Sequence, residues 1–236
     1  MVKDNTDMLL VNNVEQLKKV MVFNPQKSYY KFVCMVRAKD YKNGEHPVLQ
    51  NKEKQEILVK QWLVDSEQEL EKVLPDMLKL TELLKCRLYM ATDRKSTVKT
   101  MVQARNQLQD YLDNCLCNEN PQLSVKAFNK VMKSATSKAE SSDRECRRWM
   151  FDVDDKSNKV LESVKKLCGK YYLATFETKN GYHVLANKKF DANSVLKMVK
   201  KEVSDEDKEL FELDDLPDFT NVEVKDNALV LVAMGN

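Results

Sequence analysis

The chain of 236 residues contains few of the residues that several common enzyme classes require. Its two histidines leave little for a histidine-based hydrolase, and no serine or cysteine lies in a nucleophile motif. Its four glycines form no glycine-rich phosphate loop. These absences argue against the common hydrolase chemistries and against nucleotide binding through such a loop.

Long apolar segments are also absent. No run approaches the roughly 18 apolar residues that a membrane span needs, and residues 1–11 contain no basic region that leads into an apolar one. We therefore expect a cytoplasmic protein without a membrane partner. The six cysteines are scattered, and the one close pair, Cys115 and Cys117, lacks the spacing of a zinc site. Free, reduced thiols are the favoured interpretation.

The net charge of +2 conceals an uneven distribution of charge. Residues 202–226 contain eleven acidic residues and two lysines, so the rest of the chain holds 37 basic and 26 acidic residues, a net charge of +11. A basic body with one acidic segment suits a polyanionic partner. The alternative is that the acidic segment is simply a solvated loop.

The first part of the chain predicts an αβ module over residues 1–145. Aromatic and β-branched patterns predict strands over 28–37 and 56–64 as antiparallel neighbours, and a third strand over 87–92. Ser66 and Glu69 form a capping box at the start of a helix between the second and third strands. Helical periodicity then covers 97–116 and 124–138.

Residues 146–236 predict a second module, with the order β-α-β-β-α-β-β. Its helices cover 158–168 and 193–203, and its strands cover 171–177 and 182–186 and a last hairpin of 221–224 with 228–234. This order is close to that of a ferredoxin-like or RNA-recognition-type sheet, with helices on one face and the other face open. The predicted class is therefore α+β, an N-terminal αβ module followed by this antiparallel sheet.

The first strand of the second module ends in paired carboxylates. A period of two puts Asp152 and Asp154 on one face of the strand together with Arg148, and two carboxylates arranged in this way commonly offer ligands to a divalent cation. The opposite, buried face then carries Trp149, Phe151 and Val153. The alternative is a capping cluster, in which Asp154 or Asp155 caps the helix that starts near Ser157.

The second candidate feature is His183, which follows the hairpin signal Asn180-Gly181. On the predicted sheet it lies on a strand next to that of Asp152 and Asp154, provided that all three side chains face the open side. The alternative is a structural or solvated histidine. A polymerase-β-like nucleotidyltransferase also uses paired aspartates, but it needs a preceding Gly-Ser element, and none is present.

Two motifs together carry a family resemblance over residues 148–232. They are Met150-Phe151-Asp152-Val153-Asp154 and Thr178-Lys179-Asn180-Gly181-Tyr182-His183-Val184. The combination resembles the archaeo-eukaryotic primase superfamily, which includes replicative primases, primase-polymerases and short phage and plasmid primases. A short phage-like or plasmid-like member would act in the host cytoplasm.

The resemblance implies roles for these residues. Asp152 and Asp154 would bind the catalytic Mg²⁺ or Mn²⁺ ions, and His183 would contact the triphosphate of the incoming nucleotide. The family's third motif is an acidic residue on a later strand, for which Glu223 is the first candidate, followed by Asp218 and then Asp191. The chain departs from the family here, because none of the three is followed by the basic residue that often accompanies that motif.

Basic residues complete the expected site. Arg148 and Lys179 would join His183 on phosphate oxygens through charge-assisted bonds. The template would lie along a basic surface formed by Lys126, Lys130, Lys133, Arg144 and Arg147. The alternative is that the three lysines form a solvated helix face.

The expected function is metal-dependent nucleotidyl transfer on a nucleic-acid template, of the primase or primase-polymerase type. Its partners would be a single-stranded DNA or RNA template, nucleoside triphosphates and other replication proteins. The alternative is a catalytically degenerate relative that acts as a nucleic-acid-binding or protein-interaction module.

Overall fold

A computed structural model describes residues 9–41, 55–117, 125–200 and 219–235, and all structural statements below concern these residues. The strands are β1 (Leu9–Asn12), β2 (Ser28–Arg37), β3 (Glu56–Val64), β4 (Arg87–Ala91), β5 (Lys95–Ser96), β6 (Arg148–Val153), β7 (Tyr172–Glu177), β8 (Tyr182–Asn187), β9 (Val222–Asp226) and β10 (Leu229–Gly235). The helices are α1 (Val14–Val20), α2 (Glu67–Leu83), α3 (Thr97–Leu116), α4 (Val125–Ala135), α5 (Asn158–Cys168) and α6 (Ala192–Lys200). The predicted α+β class is confirmed.

The first sheet has the strand order β1-β10-β4-β2-β3, and β5 pairs with the start of β2. The predicted antiparallel pairing of β2 with β3 is confirmed. Helix α2 begins where the capping box predicts, because the Ser66 hydroxyl accepts a hydrogen bond from the Glu69 backbone at 3.3 Å. Its buried side chains, Leu70, Leu74 and Met77, pack in the same core as Phe32 of β2.

The second sheet has the strand order β7-β8-β6-β9, and all three pairings are antiparallel. With the chain order β6-α5-β7-β8-α6-β9, this is the ferredoxin-like arrangement that the sequence predicts. Helices α5 and α6 cover one face, where Phe151 and Val153 pack against Val160 and Leu196. The alternation of β6 thus buries the predicted face.

The predicted last hairpin is wrong, because its two strands belong to different sheets. Strand β9 pairs with β6, whereas β10 leaves the second module and inserts between β1 and β4 of the first sheet. Asn227 redirects the chain with a φ of +47°, a conformation that asparagine tolerates better than most residues. Its side chain accepts a hydrogen bond from the buried Lys95. The second module therefore contributes a strand to the first.

The predicted open face of the second sheet is partly covered. Met150, Phe176 and Leu185, on the side away from α5 and α6, lie in one core with Tyr30 and Phe32 of the first sheet. The two sheets therefore share a hydrophobic core. Polar side chains occupy the end of this face where β6 finishes, and a cleft separates the sheets there.

Two further observations concern membrane-spanning helices and the cysteines. None of the described helices is long and apolar enough to cross a membrane. All six cysteines lie in described segments, and each is a free thiol, as the scattered spacing predicts.

Candidate functional site

The cleft between the two sheets has a volume of about 520 Å³. The first sheet and the turns beside it contribute Met35, Arg37, Lys39, Glu56, Arg87, Tyr89, Ala228 and Leu229. The second sheet and its hairpin contribute Met150, Asp152, Asp154, Thr178, Lys179, Asn180, His183, Lys225 and Asp226. The wall of the first sheet thus carries three basic residues and one glutamate, whereas the other wall carries three aspartates, two lysines and His183.

Asp152 lies at the centre of the second wall. The strand register places it directly opposite His183 on β8 and directly opposite Glu223 on β9. Directly opposed residues of antiparallel strands share a face, with their Cβ atoms about 5 Å apart. The third acidic candidate therefore lies beside the first two motifs. Asp154 lies just past the end of β6, is exposed and lines the same cleft.

Strand β10 determines the proton position on His183. The Nδ1 atom accepts a hydrogen bond from the backbone N–H of Leu231 at 3.1 Å. Because a backbone N–H only donates, Nδ1 carries no proton, and the proton of the neutral imidazole is on Nε2. Nε2 lies 3.4 Å from Oδ1 of Asp152. Strand β10, which belongs to the first sheet, therefore orients His183 toward Asp152.

Lys225 is one of the residues of this site that the sequence did not predict. Its ammonium group bonds to Oδ2 of Asp152 and lies 3.2 Å from a carboxylate oxygen of Glu223. It stands two residues after Glu223 on β9, so strand alternation puts both on one face. That spacing is the signal that identifies it once β9 is known to pair with β6.

These contacts shift the charges of the site. Burial alone raises the pKa of Asp152, but the bonds from His183 and Lys225 outweigh it and hold the pKa well below its usual range. Burial lowers the pKa of Lys225, and its bonds to Asp152 and Glu223 reverse this and raise it. Asp152 is therefore ionised and Lys225 protonated at neutral pH.

The resemblance implies a divalent cation held by carboxylate oxygens. Asp152, Asp154 and Glu223 supply oxygens of the kind that Mg²⁺ and Mn²⁺ bind. Within the described segments, however, no three His, Cys, Asp or Glu side chains are grouped closely enough to hold one ion. The Lys225 ammonium already bonds to two of the three carboxylates. As arranged, the residues do not fit the ion.

The facing wall contains a pair of arginines that the sequence analysis did not single out. Arg37 and Arg87 each donate a hydrogen bond of 3.2 Å to the hydroxyl of Tyr89. Arg87 is held from behind by Asp40, with one N–O distance of 2.7 Å, and Arg37 lies 2.7 Å from Glu56. Two guanidinium groups that converge on one neutral oxygen can bind an anionic ligand. Only the pairing of β2 with β4 brings them together.

The hairpin between β7 and β8 closes one side of the cleft. Thr178 and Gly181 exchange two hydrogen bonds of 2.9 Å, and the residues between them, Lys179 and Asn180, are exposed and line the cleft. Lys179 is thus available to a ligand there.

Arg148 does not line the cleft, although it lies on the predicted face of β6. It is 3% exposed, and its guanidinium donates to the backbone oxygens of Thr92 and Val20 and to the Tyr30 hydroxyl. The predicted phosphate contact is therefore replaced by a structural one, because the shared core covers this end of the strand. Arg148 joins the two units.

The five residues of the predicted basic surface for the template lie at different places in the structure. Lys126, Lys130 and Lys133 are exposed on α4, which packs on α3, and no described residue that lines the cleft lies on either helix. Arg144 is exposed in the connection to β6. Arg147 is paired with Asp226 at 3.1 Å. The structure thus does not bring these five residues together around Asp152 and Asp154, and only Arg147 contacts an aspartate of the cleft, Asp226.

The remaining acidic candidates have other positions. Asp191 accepts hydrogen bonds from the backbone and the hydroxyl of Ser194 at the start of α6. Asp155 accepts a hydrogen bond from the backbone N–H of Ser157, the residue before α5 begins, but no side chain caps this helix, so the capping alternative is wrong. Asp218 lies outside the described residues. Glu223 is therefore the acidic residue placed beside Asp152.

Comparisons of the chain with protein-family models, with curated proteins and with solved structures found no match. The resemblance to the primase superfamily stays a prediction from two motifs.

Proposed function

We propose that the cleft carries out nucleotidyl transfer on a nucleic-acid template. The observation that supports this most strongly is the register of the second sheet, in which Asp152 lies opposite both His183 and Glu223. A carboxylate pair with a histidine on neighbouring strands, beside a basic wall, suits a site that handles a phosphate chain. Nucleoside triphosphates and a single-stranded DNA or RNA template are the proposed ligands, and Mg²⁺ or Mn²⁺ is the proposed cofactor.

The chain's own residues have distinct roles in this proposal. Arg37 and Arg87 bind phosphate oxygens from the first sheet, and Lys179 binds them from the hairpin. The Nε2–H of His183 is a hydrogen-bond donor. A phosphate oxygen can replace Asp152 as the acceptor of its hydrogen bond. Asp152 and Asp154 lie on the opposite wall, where Lys225 offsets part of their negative charge.

Replacing Asp152 and Asp154 together by asparagine tests the chemistry. We expect template-directed synthesis, measured as extension of a labelled primer with Mg²⁺ or Mn²⁺, to fall on the order of 10³-fold, as when a catalytic group is removed. The matched control is Glu162→Gln, which removes an exposed carboxylate from α5 on the other side of the sheet and should leave synthesis unchanged. Undiminished synthesis by the double variant would contradict the proposal.

The arginine wall gives a second test, with binding as the readout. We expect Arg37→Gln to weaken the binding of a nucleoside triphosphate about tenfold, because a charge-assisted hydrogen bond contributes about 1.5 kcal/mol or more. Arg37 is more informative than Arg87, whose loss would leave the buried carboxylate of Asp40 unpaired. Isothermal titration calorimetry measures the change. Lys60→Gln, an exposed lysine of β3 outside the cleft, is the control. Equal affinities of Arg37→Gln and wild type would argue against a phosphate site on this wall.

A second candidate function is a binding module without chemistry. Lys225 favours it, because its ammonium neutralises the carboxylates that a catalytic cation would need. In this case the wild-type chain binds single-stranded nucleic acid or nucleotide and makes no product with either metal. Measurement of binding and synthesis on one preparation separates the two functions.

A further inference from the structure

We propose that Lys225 is a built-in counter-cation of the carboxylate site, and that it sets the affinity of this cleft for divalent metal. Its ammonium takes the position between Asp152 and Glu223 that a cation would otherwise occupy. The proposal rests on the proposed function only for the identity of the competing ion. It follows from the finding that the carboxylates do not fit a divalent ion as they are arranged.

The strand register explains why Lys225 reaches both carboxylates. Asp152 is opposite Glu223, and Lys225 is opposite Met150, so the lysine is a diagonal neighbour of Asp152 on the same face. Diagonal neighbours are about 7–8 Å apart, within the reach of a long side chain. An ammonium has three N–H donors. That of Lys225 contacts one carboxylate on each strand, Asp152 on β6 and Glu223 on β9. The lysine therefore links β6 and β9 through their acidic residues.

Electrostatic repulsion prevents the Lys225 ammonium and a divalent ion from occupying the position between Asp152 and Glu223 at the same time. Like charges directly opposite each other in a sheet are destabilising, so Asp152 and Glu223 need a cation between them. A divalent ion bound to Asp152 would lie within a few ångströms of the ammonium, and the two positive charges would repel each other strongly. Lysine and metal thus compete for the same carboxylates. Either one, but not both, occupies the site.

The lysine is also able to leave. Its side chain is 41% exposed, and that of Glu223 is 69% exposed, whereas Asp152 is only 18% exposed. The buried partner therefore stays in place while the ammonium swings toward solvent or toward a phosphate in the cleft. An ordinary surface ion pair is the alternative interpretation, in which Lys225 has no influence on metal binding.

The Lys225→Met variant distinguishes these interpretations. We expect it to bind Mn²⁺ at least about tenfold more tightly than wild type, measured from the electron paramagnetic resonance signal of free Mn²⁺ without nucleotide. Lys225→Arg keeps the positive charge and should bind Mn²⁺ like wild type. Adding Asp152→Asn to Lys225→Met should abolish the gain. Thermal unfolding without metal checks that each variant is folded, and Lys225→Gln replaces Lys225→Met if the latter does not fold.

Two results would overturn the inference. One is equal Mn²⁺ affinity of wild type and the charge-removing variant, and the other is a gain that survives Asp152→Asn. The proposed function is tested separately, by the assay of template-directed synthesis. A gain in Mn²⁺ affinity without any synthesis supports the inference and rejects nucleotidyl transfer. Synthesis that depends on Asp152, with no gain in affinity, rejects the inference and supports the function.

Discussion

A Gly181→Ala variant is expected to lose about 3 kcal/mol of unfolding free energy, because its new methyl group would overlap the backbone of the aspartate strand. A Cβ atom at Gly181 would lie 1.9 Å from the carbonyl oxygen of Val153 and 2.8 Å from the backbone nitrogen of Asp155. Neither atom belongs to a flexible side chain, so β6 and the hairpin must move apart. Denaturation in urea, followed by circular dichroism, measures the loss.

The same substitution should impair the cleft. Asp154 lies between the two backbone contacts, and Thr178 to Asn180 precede the glycine, so both sides of this corner shift together. Asn180→Ala is the matched control, because Asn180 is the exposed neighbour of Gly181 in the same hairpin and has no positive φ. We expect it to change stability by less than about 0.5 kcal/mol. A Gly181→Ala variant as stable as the control would show that the close approach does not constrain this corner.

Arg148→Met is expected to lower the unfolding free energy by about 3 kcal/mol. The guanidinium is buried and bonds to Thr92 and Val20 at 3.1 and 2.5 Å and to the Tyr30 hydroxyl at 3.3 Å. Methionine fills most of the volume but leaves these oxygens unpaired in the interior between the two sheets. Chemical denaturation gives the free energy directly.

Arg144→Met is the control for this variant. Arg144 is exposed and close to Arg148 in the chain, so its loss should change stability by less than about 0.5 kcal/mol. The pair of variants also decides between the structural role and the phosphate contact that the primase resemblance implies. A folded Arg148→Met protein with unchanged stability but weaker nucleotide binding would favour the phosphate contact.

Glycine 181 illustrates a correct prediction with a different cause. The Asn180-Gly181 pair predicts a hairpin, which the structure contains, because such pairs adopt positive φ in tight turns. In the described segments, however, Gly181 is not among the residues with positive φ. The glycine is needed instead for its close approach to Val153 and Asp155. Sequence reasoning identified the turn, whereas the close approach depends on a strand distant in the chain.

The pairing of strand β10 was predicted wrongly from the local sequence. Its sequence, Leu-Val-Leu-Val-Ala-Met-Gly, is continuously apolar, and six of its seven residues are buried. A hairpin strand at a sheet edge usually alternates, whereas an apolar run is typical of a central strand covered on both faces. That pattern was available in the sequence. It does not say which sheet accepts the strand, and pairing with β1 and β4 rather than β9 depends on contacts across the whole chain.

Short-range patterns were sufficient to predict the α+β class, the order of elements in the second module and the face of β6 that carries Asp152 and Asp154. They suffice because side-chain periodicity, helix caps and turn residues act over a few positions. The tertiary structure alone placed Arg37 and Arg87 opposite these aspartates, buried Arg148 and put Lys225 between two carboxylates. Each of these depends on which strands pair and which faces pack together, and residues far apart in the chain decide both.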